Sequence, residues 1–313
     1  MNTSTLNNIL MESGLDLFSK INNVSKQTSN ISELDCKLLP GLESDSIVEI
    51  SGASKTGKTI LILKYIVKSI LPVTYQDLDV GGLALNVLQV DMELKFNIRI
   101  LVEELEHYLN QCIDENTHIV TTEHPINSSV EHNHTPTSSK ANPPQSRADL
   151  IASIVQDSLS RFYLVPCYGT SENLALIFQA IESRLLSTQL TLDLVMIENI
   201  LSYYFEDIST GLVSIGKYVS RLLHQSVLKY IRKFNLALIY TKYIPPGRGR
   251  VSTVAGVTHS IQLSPVYRGI HKCVVNTTQV MYYRIEQQEM VWTDFQLGEG
   301  EEDEKGEEEK LEL

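Results

Sequence analysis

Residues Gly52-Ala53-Ser54-Lys55-Thr56-Gly57-Lys58-Thr59 spell G-x-x-x-x-G-K-T, and no other part of the chain restricts its fold as tightly. The motif does its chemistry in one setting: a loop that leaves a strand and opens a helix, so that backbone N–H groups and the helix N-terminus point at phosphate oxygens. The flanking residues supply that setting. Upstream, Ser46-Ile47-Val48-Glu49-Ile50 reads as a short β-branched strand, and downstream Ile60 to Leu71 is an apolar-rich run of helical length that ends at Pro72. A plain glycine-rich surface turn would leave Lys58 without a role. The expectation is a strand–loop–helix unit that holds the phosphates of a nucleotide.

The rest of the chain alternates in the same sense. Ala84 to Asp91 reads as a strand ending in a carboxylate, and Ile98, Leu101, Val102, Leu105 and Leu109 follow at helical spacing. Further helices are expected near Ala148–Ser160 and Asn173–Leu186, and a long one carries Ile215, Tyr218, Val219, Leu222, Leu223, Val227, Tyr230, Ile231 and Phe234 on one face. Strands are expected at Phe162–Pro166, Leu192–Ile197 and Leu236–Thr241, with a terminal hairpin from Val280–Ile285 and Met290–Trp292. Strands that are continuous apolar runs and alternate with helices predict an α/β fold: a mostly parallel sheet covered by helices on both faces.

Domain organisation follows from where this pattern fails. Residues 1–33 are polar apart from one amphipathic patch at Leu15, Leu17, Phe18 and Ile21, too little for an independent domain. Residues 34–297 form the core, interrupted at 114–146 by a Ser/Thr/Asn/His/Pro-rich stretch that predicts a disordered insertion. Its scattered histidines have no cysteine partners and do not predict a metal site. Residues 298–313 hold nine acidic residues and two lysines, so −7 of the net charge of −12 sits in a tail expected to be solvated and disordered. Nothing in the remainder is basic enough to coat DNA. No run approaches 18 uncharged apolar residues, and the first residues lack a basic stretch followed by an apolar one, so neither membrane association nor a secretory signal is expected. Cys36, Cys112, Cys167 and Cys273 are widely spaced and predict free thiols.

Gly52, Ala53, Ser54, Lys55, Thr56, Gly57, Lys58 and Thr59 are therefore the expected nucleotide-binding residues, with ATP and Mg²⁺ as the expected cofactors. In such a loop the lysine neutralises β- and γ-phosphate charge and the threonine hydroxyl takes a metal position. Glu198, directly after the apolar strand Leu194–Ile197, is the candidate carboxylate that completes the Mg²⁺ shell through water. At the end of the strand after the phosphate-loop helix, Asp91 and Glu93 alternate, so only one faces the ligand; Glu93 is the candidate general base. Arg248 and Arg250, in the loop Pro245-Pro246-Gly247-Arg248-Gly249-Arg250, are weak candidates for DNA phosphates, and Arg268, His271 and Lys272 form a second weak cluster.

Several segments together resemble the RecA-type recombinase superfamily: Leu38-Leu39-Pro40-Gly41-Leu42, Ile47-Val48-Glu49-Ile50, the phosphate loop, and Val87-Leu88-Gln89-Val90-Asp91-Met92-Glu93. Glu12-Ser13-Gly14, Ile70-Leu71-Pro72, Leu105-Glu106-His107, Arg161 to Val165, Glu198 to Tyr204 and Val280 to Tyr283 narrow the resemblance to the eukaryotic recombinase paralogues. It covers residues 10–113 and 147–285. The resemblance implies a RecA-like ATPase core and no separate N-terminal helical domain. It further implies a nuclear role in double-strand-break repair by homologous recombination. The partners it implies are other recombinase paralogues, a D-type paralogue nearest, and single-stranded or branched DNA. Glu93 matches the family's catalytic glutamate. Two departures stand out: Glu198 where the family usually has Asp, and Tyr243 where it usually has a Gln that couples nucleotide to DNA. A phenol lacks an amide's paired donor and acceptor, so the resemblance implies at most a weak DNA-dependent ATPase. An independent P-loop ATPase or phosphotransferase, and a structural subunit with a relic site, are the alternatives. A phosphotransferase should carry an arginine-rich lid, and no patterned stretch supplies one.

Overall fold

The computed structural model describes residues 34–39, 41–76, 78–122, 146–188, 191–208, 213–245, 254–267, 269–287 and 289–293. The phosphate-loop unit is the expected one: β1 (Ile47–Gly52), the loop, and α1 (Lys58–Ile70). A two-stranded ribbon, β2 (Thr74–Tyr75) with β3 (Leu78–Asp79), leads to β4 (Val87–Asp91) and α2 (Ile98–Thr122). Then come α3 (Arg147–Leu159), β5 (Phe162–Pro166), α4 (Glu172–Thr188), β6 (Leu194–Glu198) and a short α5 (Tyr204–Asp207). A helical stretch follows as α6 (Ile215–Leu222), a π-helical segment (Leu223–Val227) and α7 (Leu228–Phe234), and it feeds β7 (Ala237–Tyr243). The chain closes with β8 (His259–Tyr267), β9 (Ile270–Val275), β10 (Gln279–Glu286) and β11 (Glu289–Thr293).

Nine strands form one sheet in the order β11-β10-β9-β8-β1-β7-β6-β4-β5. From β8 to β5 every neighbouring pair is parallel, and from β8 to β11 every pair is antiparallel. β1 is the central strand. Strands β1 and β4 are buried along their whole length and β6 and β7 except at their last residue, as expected of parallel strands covered on both faces. On one face Ile62 and Ile66 of α1 and Leu101, Leu105 and Leu109 of α2 pack over Val48, Ile50, Met196 and Ile239. On the other, Phe178 of α4 and Tyr218, Val227 and Ile231 of the π-interrupted helix cover Val90, Val195, Ile197 and Leu238. This is the α/β architecture expected from the sequence, consistent with a RecA-like core.

Three local expectations change. The insertion does not begin at residue 114, because α2 runs on to Thr122. Extending an existing helix is far easier than starting one, and Arg147 at the head of α3 ties that extension down: its guanidinium reaches Asp114 Oδ1 at 2.7 Å and the Asn110 carbonyl at 3.1 Å. Residues 123–145 of the expected insertion lie outside the described residues, as do the N-terminal patch and the acidic tail. The single long helix contains a π turn over Leu223–Val227, which inserts one extra residue into the 3.6-residue repeat. The terminal hairpin is real, but it is the outer half of a four-stranded antiparallel extension. Pro265 sits at a register shift in β8, and a proline inside a run hides a strand from a pattern search.

Candidate functional site

Backbone geometry makes the phosphate loop. At Gly52 a Cβ would lie 2.4 Å from the Leu263 carbonyl oxygen of β8, so the strand can pass there only as glycine. Gly57 has φ of 85°, a left-handed conformation open to glycine at no steric cost. Its carbonyl accepts the first helical bond, from Leu61 N at 3.0 Å, and glycine has no side chain with which to cap α1. The first N–H groups of the helix are thus left for an anion. Within the loop, Thr56 Oγ1 donates to the Ala53 carbonyl at 2.9 Å. From outside it, buried Tyr283 of β10 donates its hydroxyl to the Thr56 carbonyl at 2.7 Å. Met290 and Ile285 come up beneath Gly57. The antiparallel extension is the floor under the loop.

Lys58 folds inward and donates to the carbonyls of Gly52 and Ala53 at 2.9 and 2.6 Å. Burial lowers its ammonium pKa to about 8, against the opposing pull of Glu93 and Glu198. Thr59 donates to Glu198 Oε1 at 2.6 Å. The Glu198 carboxyl is raised, chiefly by burial, with the Thr59 hydrogen bond and Lys58 opposing and Glu93 and Asp91 adding to the rise. The sequence-predicted residues at the ends of β1, β4 and β6 therefore meet. Ser54, Lys55, Lys58, Thr59, Glu93 and Glu198 line a cavity of about 290 Å³, with Asn199, Thr241 and Tyr243 completing its wall.

The choice between the two carboxylates after β4 is visible in their partners. Asp91 is 5% exposed and folds back to accept from the backbone N–H groups of Glu93 at 3.1 Å and Phe96 at 2.8 Å. It shapes the turn. Glu93 faces the cavity, where Oε1 accepts from the Asn199 side-chain amide and Oε2 from Lys95 at 3.3 Å. Tyr243 stands in the cavity wall, at the place where the resemblance anticipated a departure. Arg248, Arg250 and Arg268 lie outside the described residues. His271 is no free cation: its ring stacks on Tyr283 with centroids 5.1 Å apart, and burial lowers its pKa.

Sequence reasoning missed five participants. Tyr283 comes from a strand more than 220 residues after the loop it supports. Asn199 follows a strand-end carboxylate and carries no motif of its own. Glu49, Tyr240 and Lys242 form a buried polar triad across β1 and β7: Lys242 Nζ lies 2.7 Å from Glu49 Oε1, and the Tyr240 hydroxyl donates to Glu49 Oε2 at 2.5 Å.

The oxygen donors fit a hydrated Mg²⁺, since a threonine hydroxyl and a carboxylate converge beside a lysine that already grips carbonyl oxygens. Among the described residues no helix is long and apolar enough to cross a membrane. No protein-family model matches the chain. Over 71 residues, 23% of the chain, it is 35% identical to a protein of Arabidopsis thaliana described as a DNA repair protein XRCC2 homolog. That stretch spans 19% of the relative's length. The likeness is to a DNA-repair protein and is local, over less than a quarter of either chain.

Proposed function

We propose that the chain is an ATP- and Mg²⁺-binding recombinase-paralogue subunit that assists double-strand-break repair by homologous recombination. In this reading it works in the nucleus inside a heteromeric complex with other recombinase paralogues, a D-type paralogue nearest, on single-stranded or branched DNA. One observation carries the nucleotide part: Lys58, Thr59, Glu93 and Glu198, from the ends of three separate strands, converge on one cleft at the mouth of the phosphate loop. The likeness to a relative named for DNA repair supports the recombination setting.

In this reading the Lys58 ammonium exchanges its two carbonyl partners for β- and γ-phosphate oxygens, a stronger charge-assisted contact. Thr59 would hold Mg²⁺ directly and Glu198 through water, and the ion would neutralise charge on the β- and γ-oxygens. No three His, Cys, Asp or Glu side chains among the described residues form a metal cage of their own, which fits an ion that arrives with the nucleotide. Glu93, in the wall of the same cleft, would serve as the general base. Tyr243 in place of an amide suits a subunit whose turnover is slow and whose product is an assembled complex.

The test is capture of the tagged full-length protein from its own cells, with nuclease added to remove bridging DNA, followed by mass spectrometry. Other recombinase paralogues should co-purify in comparable amounts. Recovery of the protein alone, or with unrelated enzymes, would overturn the adaptor reading.

A further inference from the structure

The Asn199 side chain occupies a place that the nucleotide chemistry does not require. It follows Glu198 at the end of β6 with φ of 50°, a left-handed conformation that asparagine tolerates better than most residues. Its backbone N–H donates to Thr241 Oγ1 at 2.7 Å, and the next N–H, of Ile200, donates to the Thr241 carbonyl at 2.9 Å. The residue is therefore pinned to the end of β7. From there its carboxamide reaches across the cleft to Glu93 Oε1. Only the amide N–H₂ can face a carboxylate oxygen, which fixes the orientation of the group. The other end, Oδ1, is buried without a hydrogen-bond partner. Leaving an acceptor unsatisfied is unfavourable, so the amide sits where its donor is used. Lys95 engages the second carboxylate oxygen.

Both oxygens of the candidate base are thus already accepting hydrogen bonds from the protein. We propose that Asn199 is a positioning residue that restrains Glu93 in a resting orientation, so that nucleotide hydrolysis requires the Asn199–Glu93 contact to open. This rests on the ATP-binding reading above. In the step it restrains, a water oxygen bonds to the γ-phosphorus while the bond to the β–γ bridging oxygen breaks. ADP leaves, and the water's proton passes to a Glu93 carboxylate oxygen. The amide holds the carboxylate turned toward the end of β6, so Glu93 must swing away from it to meet that water. Lys95 is exposed and long, and yields readily; the Asn199 amide is short, partly buried and anchored through its backbone to β7.

The experiment uses the full chain and measures ATP binding and ATP turnover separately. Asn199→Gly removes the amide and keeps the left-handed backbone available. It should raise kcat by about tenfold, within the range a general base commands, with the effect in kcat rather than in Kd for ATP. Adding Glu93→Gln should abolish the gain. Should the glycine variant fail to fold, Asn199→Ala, which has no side-chain donor, gives the same comparison. Unchanged or reduced kcat in a folded variant overturns the restraint, as does absence of turnover in both wild type and variant when both bind ATP. Failure of the wild type to bind ATP instead overturns the nucleotide reading itself.

Discussion

At the scale of single residues the site is governed by how Lys58 is held. Its ammonium is desolvated by the loop and satisfied only by two carbonyls, and its pKa falls to about 8. Bound phosphate would favour the charged form and raise that pKa, so ATP binding should take up a proton near pH 8. The sign is definite: below pH 8 the lysine is already charged and binding is insensitive to it, and above pH 8 binding weakens as the free form loses its proton. The Kd for ATP should rise about tenfold from pH 7 to pH 9, measurable by titration calorimetry in buffers of different ionisation enthalpy. A flat profile would show that Lys58 does not face the phosphates. Lys58→Ala should remove this pH dependence together with most of the affinity. The residues of this paragraph were all legible from the sequence, because the motif places them locally. The lowered pKa was not, since it comes from burial.

At the scale of elements, the phosphate loop depends on strands far from it in the chain. Tyr283 of β10 reaches the Thr56 carbonyl from beneath, and Ile285 and Met290 fill the space under Gly57. Tyr283→Phe keeps the ring and removes one buried hydrogen bond, which should cost about 1 kcal/mol of stability and weaken ATP binding by loosening the loop. Urea denaturation gives the first and equilibrium binding the second; loss of stability with unchanged affinity would show that the loop holds its shape without the strand. The hairpin itself was legible, from the strand-like runs Val280–Ile285 and Met290–Trp292. Its role as a floor was not. A strand's period says which side chains share a face, and nothing about what that face will meet.

At the scale of the whole molecule, β8 joins two unlike halves: parallel strands running from β1 to β5 on one side and the antiparallel strands β9 to β11 on the other. The buried Lys242–Glu49 pair, with side chains 1% and 2% exposed, and the Tyr240 hydroxyl lie across the junction of β1 with β7. Removing one partner leaves the other charge buried. Lys242→Met should therefore lower stability by about 3–5 kcal/mol, and adding Glu49→Gln should restore part of it, because the amide oxygen can still accept from Tyr240. Chemical denaturation of the two variants decides it; equal losses would mean that the pair carries no coupled charge.

What the sequence determined by itself was whatever is encoded within a few residues or one period. That covers the G-x-x-x-x-G-K-T loop between a strand and a helix, the apolar runs of β4, β6 and β7 with their covering helices, and the strand-end carboxylates Glu93 and Glu198. The tertiary structure decided what depends on partners distant in the chain. It turned Asp91 into a backbone cap and left Glu93 to the cleft. It set Asn199 against Glu93, brought Tyr283 under the loop, and buried Glu49 with Lys242. These contacts join residues 106 to 227 positions apart, the local Asp91 turn excepted. Local spacing cannot register them, because they exist only once parallel strands have been laid side by side and their ends share one edge of the sheet.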